Sequence, residues 1–140
     1  MNLVMSGAKM FLENESLYGF DKTVEMITVE LEKRLWSLSF THDLQQTLKK
    51  HGKEVLPVKV LALCHPKHSG QILDKDYERI VSSMMPCRIS VYEKSDGKTY
   101  ISRVNASVVA KQMGGLIEKV MTNSADEVED IVAKLLIDKN

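Results

Sequence analysis

The sequence lacks a dominant charge: nineteen lysines and arginines are balanced by nineteen aspartates and glutamates over 140 residues. No global field therefore draws the chain to nucleic acid or to an anionic membrane, and neither partner is expected. The densest basic run, Lys49, Lys50, His51 and Lys53, reads as a solvated helix end. Long apolar runs are missing as well. Leu3-Val4-Met5 is far too short for a signal segment or a spanning helix, so the expected location is the cytoplasm. Only two cysteines occur, which excludes a disulfide framework, and eight methionines suit a reducing compartment. The sequence contains no GxSxG, P-loop, HExxH or GxGxxG pattern, and neither a CxxC nor an HxxxH pair. Without repeats, low-complexity tracts or a linker, residues 9–140 read as one domain behind a loose leader, residues 1–8.

What is present is a clear alternation of short elements. Lys9 to Glu15 is a strand ended by a Ser-Leu-Tyr-Gly turn. Asp21 is placed to cap a helix reaching Trp36, with Val24, Ile27, Leu31 and Leu35 forming its buried stripe. Leu38, Phe40 and His42 alternate with Ser37, Ser39 and Thr41, the period of a half-buried strand. Asp43 then suits the N-cap of a short helix, Leu44 to Lys50, closed by Gly52. Val58 to Cys64, behind Pro57, is apolar on both faces and reads as a central strand. Pro66 fits the first position of a crossover helix that runs to about Asp74.

Arg88 to Glu93 and Lys98 to Arg103 flank Ser95-Asp96-Gly97 as a β-hairpin. A helix follows from Ala106 to Val120, where Gly114-Gly115 suggests a close approach to the sheet or a partner. Ser124-Ala125-Asp126-Glu127 has the spacing of a capping box opening a last helix with Val128, Ile131, Leu135 and Leu136 on its apolar face. The order strand, helix, four strands, helix is that of an α+β fold with an antiparallel sheet.

Three stretches carry a family resemblance. They are Phe20-Asp21-Lys22-Thr23-Val24, Pro57 through Cys64 with its following proline turn, and Met85-Pro86-Cys87-Arg88 through Glu93 with the Gly97 hairpin. With these the chain resembles the domain of unknown function 302 family from about Met10 onward. His65 stands where that family commonly has asparagine, and Asn105-Ala106 where it commonly has Asp-Pro; Asn105 can still cap. The resemblance implies a TATA-binding-protein-like antiparallel sheet backed by helices, and a homodimer. It brings no established activity, so no catalytic residues carry over, and it names no cofactor either way.

The only cluster with chemical character is Cys64-His65-Pro66-Lys67-His68 with Pro86-Cys87-Arg88. If the later strands pair in order, both thiols fall at the same end of one sheet, amid apolar neighbours. The plainest reading is two packed, reduced thiols. A metal site would draw on Cys64, Cys87 and either His65 or His68, although no standard spacing supports it. A reactive dithiol would use Cys64 ahead of the helix N-terminus, with Cys87 as resolving partner. A third reading places a small apolar or anionic ligand near the start of that helix, touched by Lys67, Arg88 and Tyr92. The expected function is a dimeric small-ligand-binding or accessory module rather than an enzyme. The alternative is a metal- or thiol-dependent redox protein.

Overall fold

The computed structural model describes residues 4–5, 8–85 and 87–137. Five strands form one antiparallel sheet: β3 (Phe11–Glu15), β4 (Ser37–Asp43), β5 (Val58–Cys64), β6 (Cys87–Glu93) and β7 (Thr99–Val104). Their spatial order is β3-β7-β6-β5-β4. The last four pair in sequence order, while the first strand closes the far edge against the last. β5 is thus flanked on both sides, as its two apolar faces require. Most of the expected leader lies outside the described residues; within it, β1 (Val4–Met5) pairs with β2 (Ala8–Lys9). Pro86 also lies outside them.

The helices are α1 (Phe20–Lys33), α2 (Leu44–Lys50), α3 (Pro66–Leu73), α4 (Ala106–Met113) and α5 (Gly115–Ala133), with a 3-10 helix at Glu78–Met84. Register decides which face they cover. Leu61 opposes Ile89, Leu63 opposes Cys87, and Val91 opposes Ile101. Cross-strand partners share a face, so Leu61, Leu63, Ile89, Val91 and Ile101 point together into the core. There they meet Ile27 and Leu31 of α1 and Val128, Ile131 and Val132 of α5. Burying each such side chain contributes about 1.5–3 kcal/mol. A smaller apolar cluster, Ile72, Val81, Ile117 and Val120, joins α3, the 3-10 helix and the first half of α5. Among the described residues no helix is long and apolar enough to cross a membrane.

Several sequence expectations are corrected by the geometry. α1 is capped by the backbone at Gly19, and Asp21 sits in its first turn instead. The helix ends at Lys33. Leu35 donates to Glu32 O (3.2 Å) and Trp36 to Leu31 O (3.0 Å), the bond pair of a Schellman termination. Leu35 takes the left-handed position of that motif with φ 64°. It is 78% exposed rather than part of the buried stripe, and Trp36, 4% exposed, enters the core in its place.

In β4 the alternation breaks at Ser39. A bulge between Leu38 and Phe40 shifts the register, so Leu38 opposes Leu63 inward while Phe40 opposes Ala62 on the outer face. Ser39 Oγ donates to Ala62 O at 3.0 Å beside the bulge. Gly114, at φ 66° and ψ −176°, separates α4 from α5. A Cβ at Gly114 or Gly115 would meet nothing within 4 Å. Within the chain the glycines therefore serve a change of direction and not a close approach to the sheet. α5 begins directly after this break, which puts the supposed capping box inside it. Ser124 is buried there, and Asn105 stands at the N-cap of α4 without a side-chain cap bond. Asp43, by contrast, does cap α2, accepting from Gln46 N at 3.0 Å.

Leucine in the left-handed region carries a steric penalty of about 1–2 kcal/mol, part of which glycine gives back through its greater unfolded-state freedom. Leu35→Gly is therefore expected to raise unfolding stability by about 1 kcal/mol in urea titration. A loss of stability would show that the Leu35 side chain contributes packing despite its exposure.

Candidate functional site

Where β5 ends and β6 begins, the two core clusters fail to merge and leave a cleft of about 730 Å³. Trp36, Leu63 and Val128 line it from the main core; Ile72, Val81 and Val120 line it from the smaller one. Cys64, His65, His68, Cys87 and Arg88 all border this space. Of the predicted site residues, Lys67 is not among those lining it. Tyr92 is elsewhere too: it opposes Val58 and Tyr100 on the outer face, bonded to Glu13. Burial and that bond push the Tyr92 phenol up to about 12.

The two thiols share this end of the sheet but not one face of it. Leu63 opposes Cys87, so Cys64 lies one residue further and takes the other side of the pleat. Cys64 Sγ meets Ser69 Oγ of α3 at 3.4 Å, and Cys87 Sγ meets Ser124 Oγ of α5 at 3.6 Å. Both are free cysteines. Cys87 as a residue is exposed, yet enough protein surrounds its sulfur that burial, with a smaller push from Cys64, raises its pKa above 9.0 despite the Ser124 bond. Among the described residues, no three His, Cys, Asp or Glu side chains are placed to hold a metal ion.

The histidines play different parts. His65 is the N-cap of α3, its Nδ1 accepting from Lys67 N at 3.2 Å. His68 is not solvent-facing: it is 8% exposed, and its Nε2 bonds Glu127 Oε2. The other oxygen of Glu127 accepts from Trp36 Nε1 at 3.2 Å. One carboxylate thus ties the end of α1 and the start of α3 to α5. The three rings of Trp36, His65 and His68 lie with centroids 5.1 to 5.8 Å apart. Burial pushes the Glu127 carboxyl up, but the bonds from His68 and Trp36 outweigh it and hold the group below 4.5.

A second buried tie, centred on Arg103, was not singled out from the sequence, where Arg103 only ended a hairpin strand. Arg103 opposes Leu12 and takes the inner face. Its Nε and Nη2 donate to the two oxygens of Glu129, each at 2.7 Å. Its Nη1 donates to Asn14 Oδ1 at 3.0 Å and to Ile101 O at 3.4 Å. The parity was readable: Arg103 is an even step from Ile101, and Glu129 lies beside the apolar stripe of the last helix.

The native value of Glu127 lies below its unfolded one, so its contribution to stability is present above pH 4.5 and fades as pH falls through the depressed native value. The advantage of the unsubstituted protein over Glu127→Gln in urea unfolding should therefore shrink on acidification below 4.5. An advantage unchanged between neutral pH and that acid range would contradict the role given to this carboxylate.

Comparison with known proteins adds the following. The family model described as Domain of unknown function DUF302 matches residues 12–138. A crystal structure of an uncharacterized conserved protein DUF302 from Bacillus stearothermophilus is similar with a TM-score of 0.81 at 16% identity, covering 91% of this chain and 99% of that one. At that identity the likeness establishes the fold. No curated protein matches the chain.

Proposed function

The chain belongs to the family described as Domain of unknown function DUF302, and from that premise we propose that it is a small-ligand-binding module. The observation that carries this reading is the cleft of about 730 Å³ at the end of the sheet. Its size falls within the ~300–1,000 Å³ range of small-molecule sites, and its walls are mainly apolar with a few convergent polar groups. Both thiols border it, each within hydrogen-bonding reach of a serine. A neutral solvatochromic dye, Nile red, tests the reading. Its emission should rise and saturate at one dye per chain. Ala125→Trp, which fills the cleft from α5, should weaken that binding at least about tenfold while the far-ultraviolet dichroism is unchanged. Dye binding that ignores the substitution sinks the proposal.

A second copy of the chain is the partner we propose, through the outer face of the sheet. That face carries Phe40, 60% exposed, with Phe11 and Val104 also exposed and Tyr92 stacked on Tyr100 at 6.4 Å between centroids. An uncovered sheet face of this kind is a common site of association. In light scattering at micromolar concentration the expected mass is about twice the 15.8 kDa of one chain, reverting to one chain in Phe40→Lys. A single-chain mass for the unsubstituted protein would refute the pairing.

A further inference from the structure

Resting on the ligand-binding reading above, we infer that the cleft takes an apolar compound bearing a hydroxyl, which donates to Nδ1 of a neutral His68 and accepts from Nε2 of His65. Both rings line the cleft. The bond each ring already makes decides which nitrogen is left and what it can do. His65 Nδ1 accepts from Lys67 N at 3.2 Å, so that nitrogen carries a lone pair and the ring is neutral. The ring proton is then on Nε2, which is a donor. His68 Nε2 bonds Oε2 of Glu127. That carboxyl, held below 4.5, is ionised at neutral pH and has no proton to give, so Nε2 supplies the one they share. Nδ1 of a neutral His68 is then an acceptor.

Neither leftover nitrogen has a hydrogen-bond partner among the described residues. No enclosed side-chain nitrogen or oxygen among them lacks one, so both nitrogens are open to solvent. They belong to rings whose centroids lie 5.1 Å apart. Each ring is held in place: His65 as the N-cap of α3, and His68 by Glu127, which also accepts from Trp36 Nε1. Trp36 packs against both, at 5.3 Å from His65 and 5.8 Å from His68. The site thus presents one donor and one acceptor, side by side and fixed, beside the apolar wall of Leu63, Ile72, Val81 and Val120. A hydroxyl is the smallest group that both donates and accepts, and it answers both nitrogens at once. An ether or a carboxylate only accepts, and would leave Nδ1 of His68 covered without a partner.

Displacement of Nile red by 4-hexylphenol and by 4-hexylanisole separates this inference from the reading it rests on. The two share one body, and the second has a methoxy group in place of the hydroxyl. The phenol should displace the dye at about one-fifth the concentration that the anisole needs, the worth of one neutral hydrogen bond. His68→Gln keeps an amide N–H for Glu127 and removes Nδ1, so it should abolish the preference by weakening the phenol alone. His65→Asn keeps an N-cap acceptor and removes the Nε2 donor, so it should weaken both compounds. Equal competition in the unsubstituted protein, the result for a His68 that donates from Nδ1, overturns the hydroxyl reading and leaves the cleft as a ligand site. So does a preference that survives His68→Gln, or competition indifferent to His65→Asn. Failure of both compounds to displace the dye, or displacement indifferent to Ala125→Trp, overturns the cleft reading and the hydroxyl reading with it.

Discussion

The pleat of one antiparallel sheet governs everything else in this molecule. Once Leu61 opposes Ile89 and Val91 opposes Ile101, the inner face is apolar across three strands. α1 and α5 must then lie on that side. A slip of one residue in any of these strands would turn Leu61 and Leu63, or Ile89 and Val91, toward water and bring Ala62 or Arg88 inward. The same parity separates Cys64 from Cys87, places Arg103 beneath α5, and leaves Phe40, Tyr92 and Tyr100 on the uncovered side. Site and surface are both consequences of register.

α5 converts that register into a site. At about 1.5 Å per residue its nineteen residues span roughly 28 Å, enough to serve two apolar clusters in turn. Ile117 and Val120 belong to the smaller cluster, and Val128, Ile131 and Val132 to the larger. Ser124 lies between them, opposite Cys87. On the next turn, Glu127 and Glu129 reach out to α1, α3 and β7 through Trp36, His68 and Arg103. Buried or half-buried charged ties of this kind hold elements in one arrangement, since breaking one leaves an unpaired group away from water.

Much of this was legible from residue order, and what was not has local causes. Periodicity placed the strands from Val58 to Cys64 and from Arg88 to Glu93, the Gly97 hairpin and the Asp43 cap, because each rests on neighbours in sequence. It failed where a long-range contact overrode the local pattern. Ser39 bulges, and one inserted residue sends Phe40 to the opposite face from Leu38. Leu35 has the spacing of a buried position, yet the helix terminates beneath it and Trp36 takes the core site. Ser124 and Glu127 match a capping box, but a capping box needs a helix end, and Gly114 had already supplied one ten residues earlier. The cysteines were legible as neighbours along the sheet. Their division between the two sides followed from the pairing of Leu63 with Cys87, which no local motif encodes.

The cleft has the same origin as these misreadings. A single core would form if the residues after β5 returned directly to the sheet. Instead α3 and the 3-10 helix stand off from it and bury Ile72 and Val81 against the first half of α5. Trp36 and His68, held by Glu127, brace one side of the gap, and the paired Arg103 and Glu129 sit within its lining. Ionic and aromatic groups fixed in this way do not collapse inward as an aliphatic lining would. The groups that keep the two clusters apart are thus the hydrogen-bonded ones, Glu127 with Trp36 and His68, and Arg103 with Glu129.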